Sequence, residues 1–291
     1  MLQQTQVKTV LPYFKKFIKR FKSLKSLSKA KEKDVLKMWE GLGYYRRARN
    51  LLNCSKELVK NHNSKIPNTL EELKKLPGIG EYTGNALLGL IHNKPVIALD
   101  GNVKRIFARI LNRTQDEIEF NQLIYSNKNK LFKTGRNSDL VEALMEFGAL
   151  VCKPKDPKCS CCNLKQICKY FKSSKKNIIT KTKMTKIKNY DIFCYVHKNK
   201  KIALTKKNQT SFLKNFNLPK IKESNGSLSQ KNWKFLKSYK NSISNLKLNI
   251  NLYYKFSNKI PSDYSWYSIK RNKDFVPSFT KKIFRQVSTL F

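Results

Sequence analysis

The chain is short of acid. Its 291 residues hold 61 Lys and Arg against 19 Asp and Glu, a net charge of +42. So basic a chain associates with polyanions, and nucleic acid is the first candidate. It has no run of 18 consecutive apolar residues, which excludes an ordinary membrane-spanning helix. The start, Met1-Leu2-Gln3-Gln4-Thr5-Gln6-Val7, has no basic segment followed by an apolar core. No signal peptide is read there, and a cytoplasmic location is expected, nucleoid-associated if the source is bacterial. No internal repeat of fixed period is found. What is present is a 40% share of hydrophobic residues, enough for a packed core.

Residues 1–171 read as mainly helical. Apolar residues recur at helical spacing in Val10–Phe21, Val35–Trp39, Ala48–Leu58, Leu87–Ile91, Val103–Ile110 and Leu140–Val151. Gly, Pro, Asn and Ser breaks separate them. Residues 172–189 are rich in lysine and without acid, and read as a basic linker. Beyond it the pattern becomes strand-like. Tyr190–Val196, Lys201–Thr205 and the alternating Leu246–Tyr254 predict strands, so residues 190–291 are expected to form a smaller α+β domain.

Five of the seven cysteines crowd between positions 152 and 168. Cys152, Cys159, Cys162 and Cys168 are spaced x6, x2 and x5. Four thiolates this close suit a tetrahedral zinc or an iron–sulfur cluster, and the Cys-x2-Cys step alone leans toward zinc. Cys54 and Cys194 are isolated and read as buried, inert thiols.

Leu76-Pro77-Gly78-Ile79-Gly80 lies between two helical segments. Two glycines permit a tight turn with outward-facing N–H groups, and ahead of a helix N-terminus such a turn can hold a phosphate. Alone it is equally an ordinary helix–helix turn. Further on comes Leu99-Asp100-Gly101-Asn102-Val103, where Asp100 fits a helix N-cap.

Hairpin, aspartate and cysteine loop, in this order, resemble the helix-hairpin-helix glycosylases of the endonuclease III superfamily. The resemblance implies a [4Fe–4S] cluster on Cys152, Cys159, Cys162 and Cys168, with Lys153, Lys155, Lys158 and Lys165 facing DNA. It implies that Gly78 and Gly80 bind the backbone and that Asp100, with Asn102 beside it, faces the sugar of a flipped nucleotide. Cleaving an N-glycosidic bond builds positive charge on the deoxyribose, which a fixed anion stabilises. Superfamily members with lyase activity carry a Lys two residues after the last hairpin glycine. Tyr82 stands there instead, which implies hydrolysis without a Schiff base.

Two more segments resemble the adenine DNA glycosylases, the MutY family. They are Leu2-Gln3-Gln4-Thr5-Gln6-Val7 and Gly41-Leu42-Gly43-Tyr44-Tyr45-Arg46-Arg47. By that match Gln4 and Tyr44 wedge into the base stack, one tyrosine of the pair packs in the core, and Glu142 reads the adenine edge. The bland reading of Glu142 is a solvated helix face. The implied partner is double-stranded DNA carrying adenine opposite 8-oxoguanine or guanine, bound by a monomer. Residues 190–291 resemble the family's Nudix-like lesion-reading domain, with Ser244 kept and Asn245 where the family has His. Its acids, Asp191, Glu223, Asp263 and Asp274, are too scattered for a Nudix hydrolase. In the family the general acid is a Glu two residues before the Met-Leu-Gln-Gln-Thr segment, and this sequence starts at that Met. The expectation is therefore slow adenine excision by the chain as written. Alternative readings are a catalytically impaired mismatch-binding remnant and a thymine-mismatch glycosylase.

Overall fold

The computed structural model describes residues 1–3, 5–114, 118–173, 186–207, 210, 212–214, 216–224, 232–243, 246–270 and 275–291. They fall into two compact units: Met1–Leu52 with Lys183–Phe291, and Asn53–Thr182.

The first unit opens with α1 (Val7–Arg20), α2 (Leu24–Ser28) and α3 (Glu32–Met38), and includes the start of α4 (Arg46–Asn61), which continues into the second. α2 starts at Ser23 through a capping box. Ser23 Oγ accepts the Ser26 N–H and Ser26 Oγ accepts the Ser23 N–H, each at 3.1 Å. Val10, Phe17, Trp39, Leu42 and Tyr45 bury a shared core that also takes in Phe216 from the C-terminal part. Trp39 is 1% exposed, so this core is closed to water.

The second unit is all helical among the described residues. After the remainder of α4 come α5 (Leu70–Lys75), α6 (Glu81–Leu90), α7 (Gly101–Leu111), α8 (Ile118–Ser126), α9 (Asn137–Leu150) and α10 (Lys169–Lys172). Two glycines let α9 press against its neighbours. A Cβ on Gly89 would lie 2.7 Å from Val141, and a Cβ on Gly148 would lie 2.7 Å from the Cβ of Asn102. Ile97, Val103, Phe120 and Ile124 form a core under α7.

The C-terminal part is a mixed sheet with one helix. Its elements are β1 (Lys186–His197), β2 (Lys201–Leu204), β3 (Lys220–Glu223), β4 (Lys234–Ile243), β5 (Leu246–Phe256), β6 (Ser265–Ser268) and α11 (Ser278–Val287). The order is β4-β5-β1-β2-β6, with β3 also paired to β1. β1 and β5 run parallel and the other pairs are antiparallel. Ile192, Cys194, Val196, Ile250 and Leu252 pack on Phe279, Ile283 and Val287 of α11. Cys194 is fully buried, and that burial pushes its thiol well above the usual range.

Two boundaries differ from the expectation. Lys172 ends α10, and β1 begins at Lys186, so both ends of the expected 172–189 linker belong to regular elements. The early part of β1 pairs residue by residue with β5, Lys186 opposite Leu246, so pairing outweighs its lysine-rich composition. Residues 174–185 lie outside the described set. No described helix is long and apolar enough to cross a membrane.

Candidate active site

The hairpin joins α5 to α6. Leu76 closes α5 and is buried, and the Ile79 N–H donates to the Leu76 carbonyl at 3.2 Å. Gly78 has φ +81°, a left-handed conformation that a side chain would strain. Gly80 is the N-cap of α6, its carbonyl accepting the Gly84 N–H at 2.8 Å. A Cβ at Gly80 would meet nothing within 4 Å, so this glycine leaves the helix start open for close approach.

Asp100 caps α7 as its sequence position suggests. Its Oδ1 accepts the backbone N–H groups of Asn102 and Val103, both at 2.8 Å. The Asn102 side-chain amide donates to Oδ2 at 3.3 Å. Three donors and the positive end of a helix therefore hold the carboxylate. Tyr82, on the first turn of α6, lies within its field. Tyr82 keeps 36% of its surface exposed, and the partial burial of its ring first, and then the charge of Asp100, raise the phenol's pKa, so the ring stays neutral. The structure thus brings Tyr82, Asp100 and Asn102 together.

Two arginines of α7 join this group to the cysteine loop. Arg105 donates to Asn102 Oδ1 at 2.9 Å, to the Gly148 carbonyl at 2.7 Å and to the Cys152 carbonyl at 2.8 Å. Arg109 donates to Cys152 Sγ at 3.3 Å and to the carbonyls of Lys153 and Pro154 at 2.7 and 3.1 Å. The Cys168 thiol donates to the Arg109 carbonyl at 3.5 Å. Both arginines are almost wholly buried. Burial lowers the pKa of Arg105, opposed by Cys152 and Asp100 and assisted by Arg109. A planar five-donor fork meets several carbonyls at once, which lysine does not.

Cys152, Cys159, Cys162 and Cys168 line one cavity with Arg109, Tyr170 and Phe171. The Arg109 guanidinium lies 5.4 Å from the Tyr170 ring centre. Burial raises the Cys159 thiol, Arg109 opposes this, and the other three cysteines add to it. Among the described residues no three His, Cys, Asp or Glu side chains converge on a single-ion site. The four thiols line that one cavity, with the buried Arg109 beside them. Four thiolates are a donor set that suits a soft metal or an iron–sulfur group.

In the first unit, Gly41, Gly43 and Tyr44 have φ of +103°, +69° and +48°. This turn leaves Tyr44 42% exposed while Tyr45 is 5% exposed. Tyr45 is the packed member of the pair: its hydroxyl bonds Ser278 Oγ at 3.0 Å, and its ring meets Phe216 and Phe275. Arg47 binds the turn to the chain start. It donates to the carbonyls of Met1 (2.7 Å) and Gln3, to Thr5 Oγ1 (3.0 Å) and to the Leu42 carbonyl (3.4 Å). Its guanidinium also lies 5.2 Å from the Tyr44 ring centre. Glu142 stands exposed on α9. Gln4, Ser244 and Asn245 lie outside the described residues.

Sequence reasoning missed Arg47, Arg105 and Arg109. In so basic a chain each passes for surface charge. The available signal was their helical spacing: Arg105 and Arg109 stand four apart, on the face of α7 that also carries Asn102.

A hairpin ahead of a capped aspartate, with a four-cysteine loop behind it, is a helix-hairpin-helix arrangement. A family model described as "HhH-GPD superfamily base excision DNA repair protein" matches residues 1–127. A thermostable thymine-DNA glycosylase structure superposes with TM-score 0.52 at 24% identity, covering 59% of this chain and 80% of that one; the likeness is one of fold. An adenine DNA glycosylase of Buchnera aphidicola subsp. Baizongia pistaciae is 36% identical over 274 residues, 89% of this chain and 78% of that protein. Another, from Buchnera aphidicola subsp. Acyrthosiphon pisum, is 35% identical over 272 residues, 89% of this chain and 74% of its own length. The chain belongs to the adenine DNA glycosylase family.

Proposed function

We propose that this protein binds double-stranded DNA and hydrolyses the N-glycosidic bond of adenine mispaired with 8-oxoguanine or guanine. The observation that carries the reading is the Asp100 carboxylate, capped by two backbone N–H groups at 2.8 Å beside Tyr82. In this family context it is the anion that meets positive charge developing on the deoxyribose of the flipped nucleotide. Asn102 fixes its second oxygen. Tyr82, neutral and without an amine, forms no Schiff base, so water takes the sugar carbon. The open start of α6 at Gly80, with Gly78 shaping the turn, suits a DNA phosphate.

In this reading residues 1–171 perform excision, with Gln4 and Tyr44 as the wedge and Glu142 on the adenine edge. Residues 190–291 act as a Nudix-like reader of the opposite base, with Ser244 at its contact loop. Cys152, Cys159, Cys162 and Cys168 would hold a [4Fe–4S] cluster, and Arg109 would balance its thiolates. When bound, that group supplies four iron–thiolate bonds that fix the loop.

The test is base release from synthetic duplexes. Free adenine from A:8-oxoguanine and A:G duplexes, and no thymine from G:T, is the expected result. Thymine release without adenine release would replace this reading with the thymine-mismatch one.

A further inference from the structure

The C-terminal sheet carries side chains to which the proposed excision reading gives no role. One face packs on α11. Strand alternation and register place Phe193, Tyr195 and His197 of β1 on the other, with Tyr253 beside Phe193, Phe235 opposite Tyr253, and Trp266 opposite Ala203 of β2. The rings form a continuous series. Phe235 lies 5.6 Å from Tyr253, Tyr253 stacks on Phe193 at 5.3 Å and 17°, Phe193 meets Trp233 at 5.1 Å, and Trp233 meets Tyr195 at 4.9 Å. Trp266 packs on His197 at 5.3 Å. Phe193 and Tyr253 are the floor, 5% and 7% exposed, while Phe235 at the edge is 57% exposed. Trp233, Tyr195 and Trp266 are half-buried. Folding alone does not reward so many rings left in contact with water.

The charge on this face is mainly positive. Register puts Lys201 opposite His197, Lys220 opposite Phe193, Lys222 opposite Asp191 and Lys255 beside Tyr195, and all four lysines are exposed. Asp191 is buried and accepts from the Asn251 amide at 2.9 Å, so it offers little charge to a partner. Asp263, which accepts from Thr205 Oγ1 at 3.2 Å, flanks the patch beside Tyr264.

Rings with a lysine border match one chemistry. A duplex buries its base faces and offers a partner mainly phosphates and groove edges. An unpaired strand offers base faces that stack on aromatic rings and phosphates that pair with lysine. An acidic peptide would use the lysines and leave the rings idle. We infer that this sheet face binds an unpaired nucleic-acid strand, with Trp233, Phe235 and Trp266 stacking on bases and Lys201, Lys220, Lys222 and Lys255 meeting phosphates. The site is independent of Asp100 and of the excision reading.

The chain's three tryptophans make the test direct. Trp39 is buried in the helical core, so changes in emission report Trp233 and Trp266. The full-length protein is titrated with an oligothymidylate of about 12 nucleotides, within the usual range of site sizes. A second titration uses an abasic oligomer of equal length, which has the phosphates and no bases. The expected result is quenching by oligothymidylate and affinity at least about tenfold weaker for the abasic strand. Phe235→Ala, at a position 57% exposed on the edge of the sheet, should weaken oligothymidylate binding about tenfold and leave adenine release from duplex unchanged. Equal binding of the abasic strand, or no response to Phe235→Ala, overturns the inference. So does concentration-dependent dimerisation abolished by Phe235→Ala, which would make the face a contact between two copies.

Discussion

The Arg105 guanidinium donates from Nε to the Cys152 carbonyl at 2.8 Å and from Nη2 to Asn102 Oδ1 at 2.9 Å. One side chain thus holds both the first cysteine of the loop and the residue that fixes Asp100. Removing it loosens both ends. Arg105→Ala is expected to lower single-turnover adenine excision about 10–100-fold, as loss of an outer-shell partner does, and to lower retained iron per protein. Arg105→Lys should restore little, because an ammonium lacks the planar fork. Unchanged rates and iron content in Arg105→Ala would remove this link.

Metal identity is checked by colour and elemental analysis. Anaerobically purified protein is expected to be brown and to contain iron, with a Cys159→Ser variant losing much of both. Stoichiometric zinc without iron would contradict the cluster.

Asp100 serves the fold and the chemistry together, and two substitutions separate them. Asn is as good an N-cap as Asp, whereas Ala caps poorly. Asp100→Ala is expected to cost about 1 kcal/mol of stability, and Asp100→Asn only a few tenths. Denaturant midpoints measure the difference. Equal, large losses in both would mean that the charge itself, and not the cap, stabilises α7.

Tyr82 yields a pH prediction and a chemical one. Its phenol has a raised pKa in the fold, through burial and then Asp100. The folded state therefore keeps a proton that the unfolded chain releases near pH ~10. Its contribution is fully present below that pH and fades as pH rises through the folded value. Tyr82→Phe should flatten the alkaline fall in stability. Tyr82→Lys should make an abasic-site adduct trappable with borohydride, and efficient trapping by the unmutated protein would show that another lysine acts as nucleophile.

The helices were legible where their apolar stripes were long. Val10–Phe21 and Val103–Ile110 correspond to α1 and α7, and Asp100 is the cap its position suggested. β5 was legible because burial on one face enforces alternation, and β1 and β2 because their β-rich runs suit continuous burial. β4 was not. Its KFLKSYKNSI sequence is exposed or only partly buried throughout, with Leu236, Tyr239 and Ile243 resting on the core, so its place is fixed largely by pairing with β5. The site was legible in its anchors and not in its ties. Asp100, Tyr82 and the cysteines stand out by type and spacing. The work of Arg105 and Arg109 depends on carbonyls that the fold brings from more than forty residues away. Such partners leave no local pattern.

The most direct test of the account compares the unmutated chain with Asp100→Asn in single-turnover release of adenine from an A:8-oxoguanine duplex. Asn keeps the cap and removes the charge. The account predicts adenine release by the unmutated chain and a rate lower by about 10²–10³-fold in Asp100→Asn, with duplex binding retained. Equal release by the two proteins would contradict Asp100 as the anion that stabilises the sugar cation.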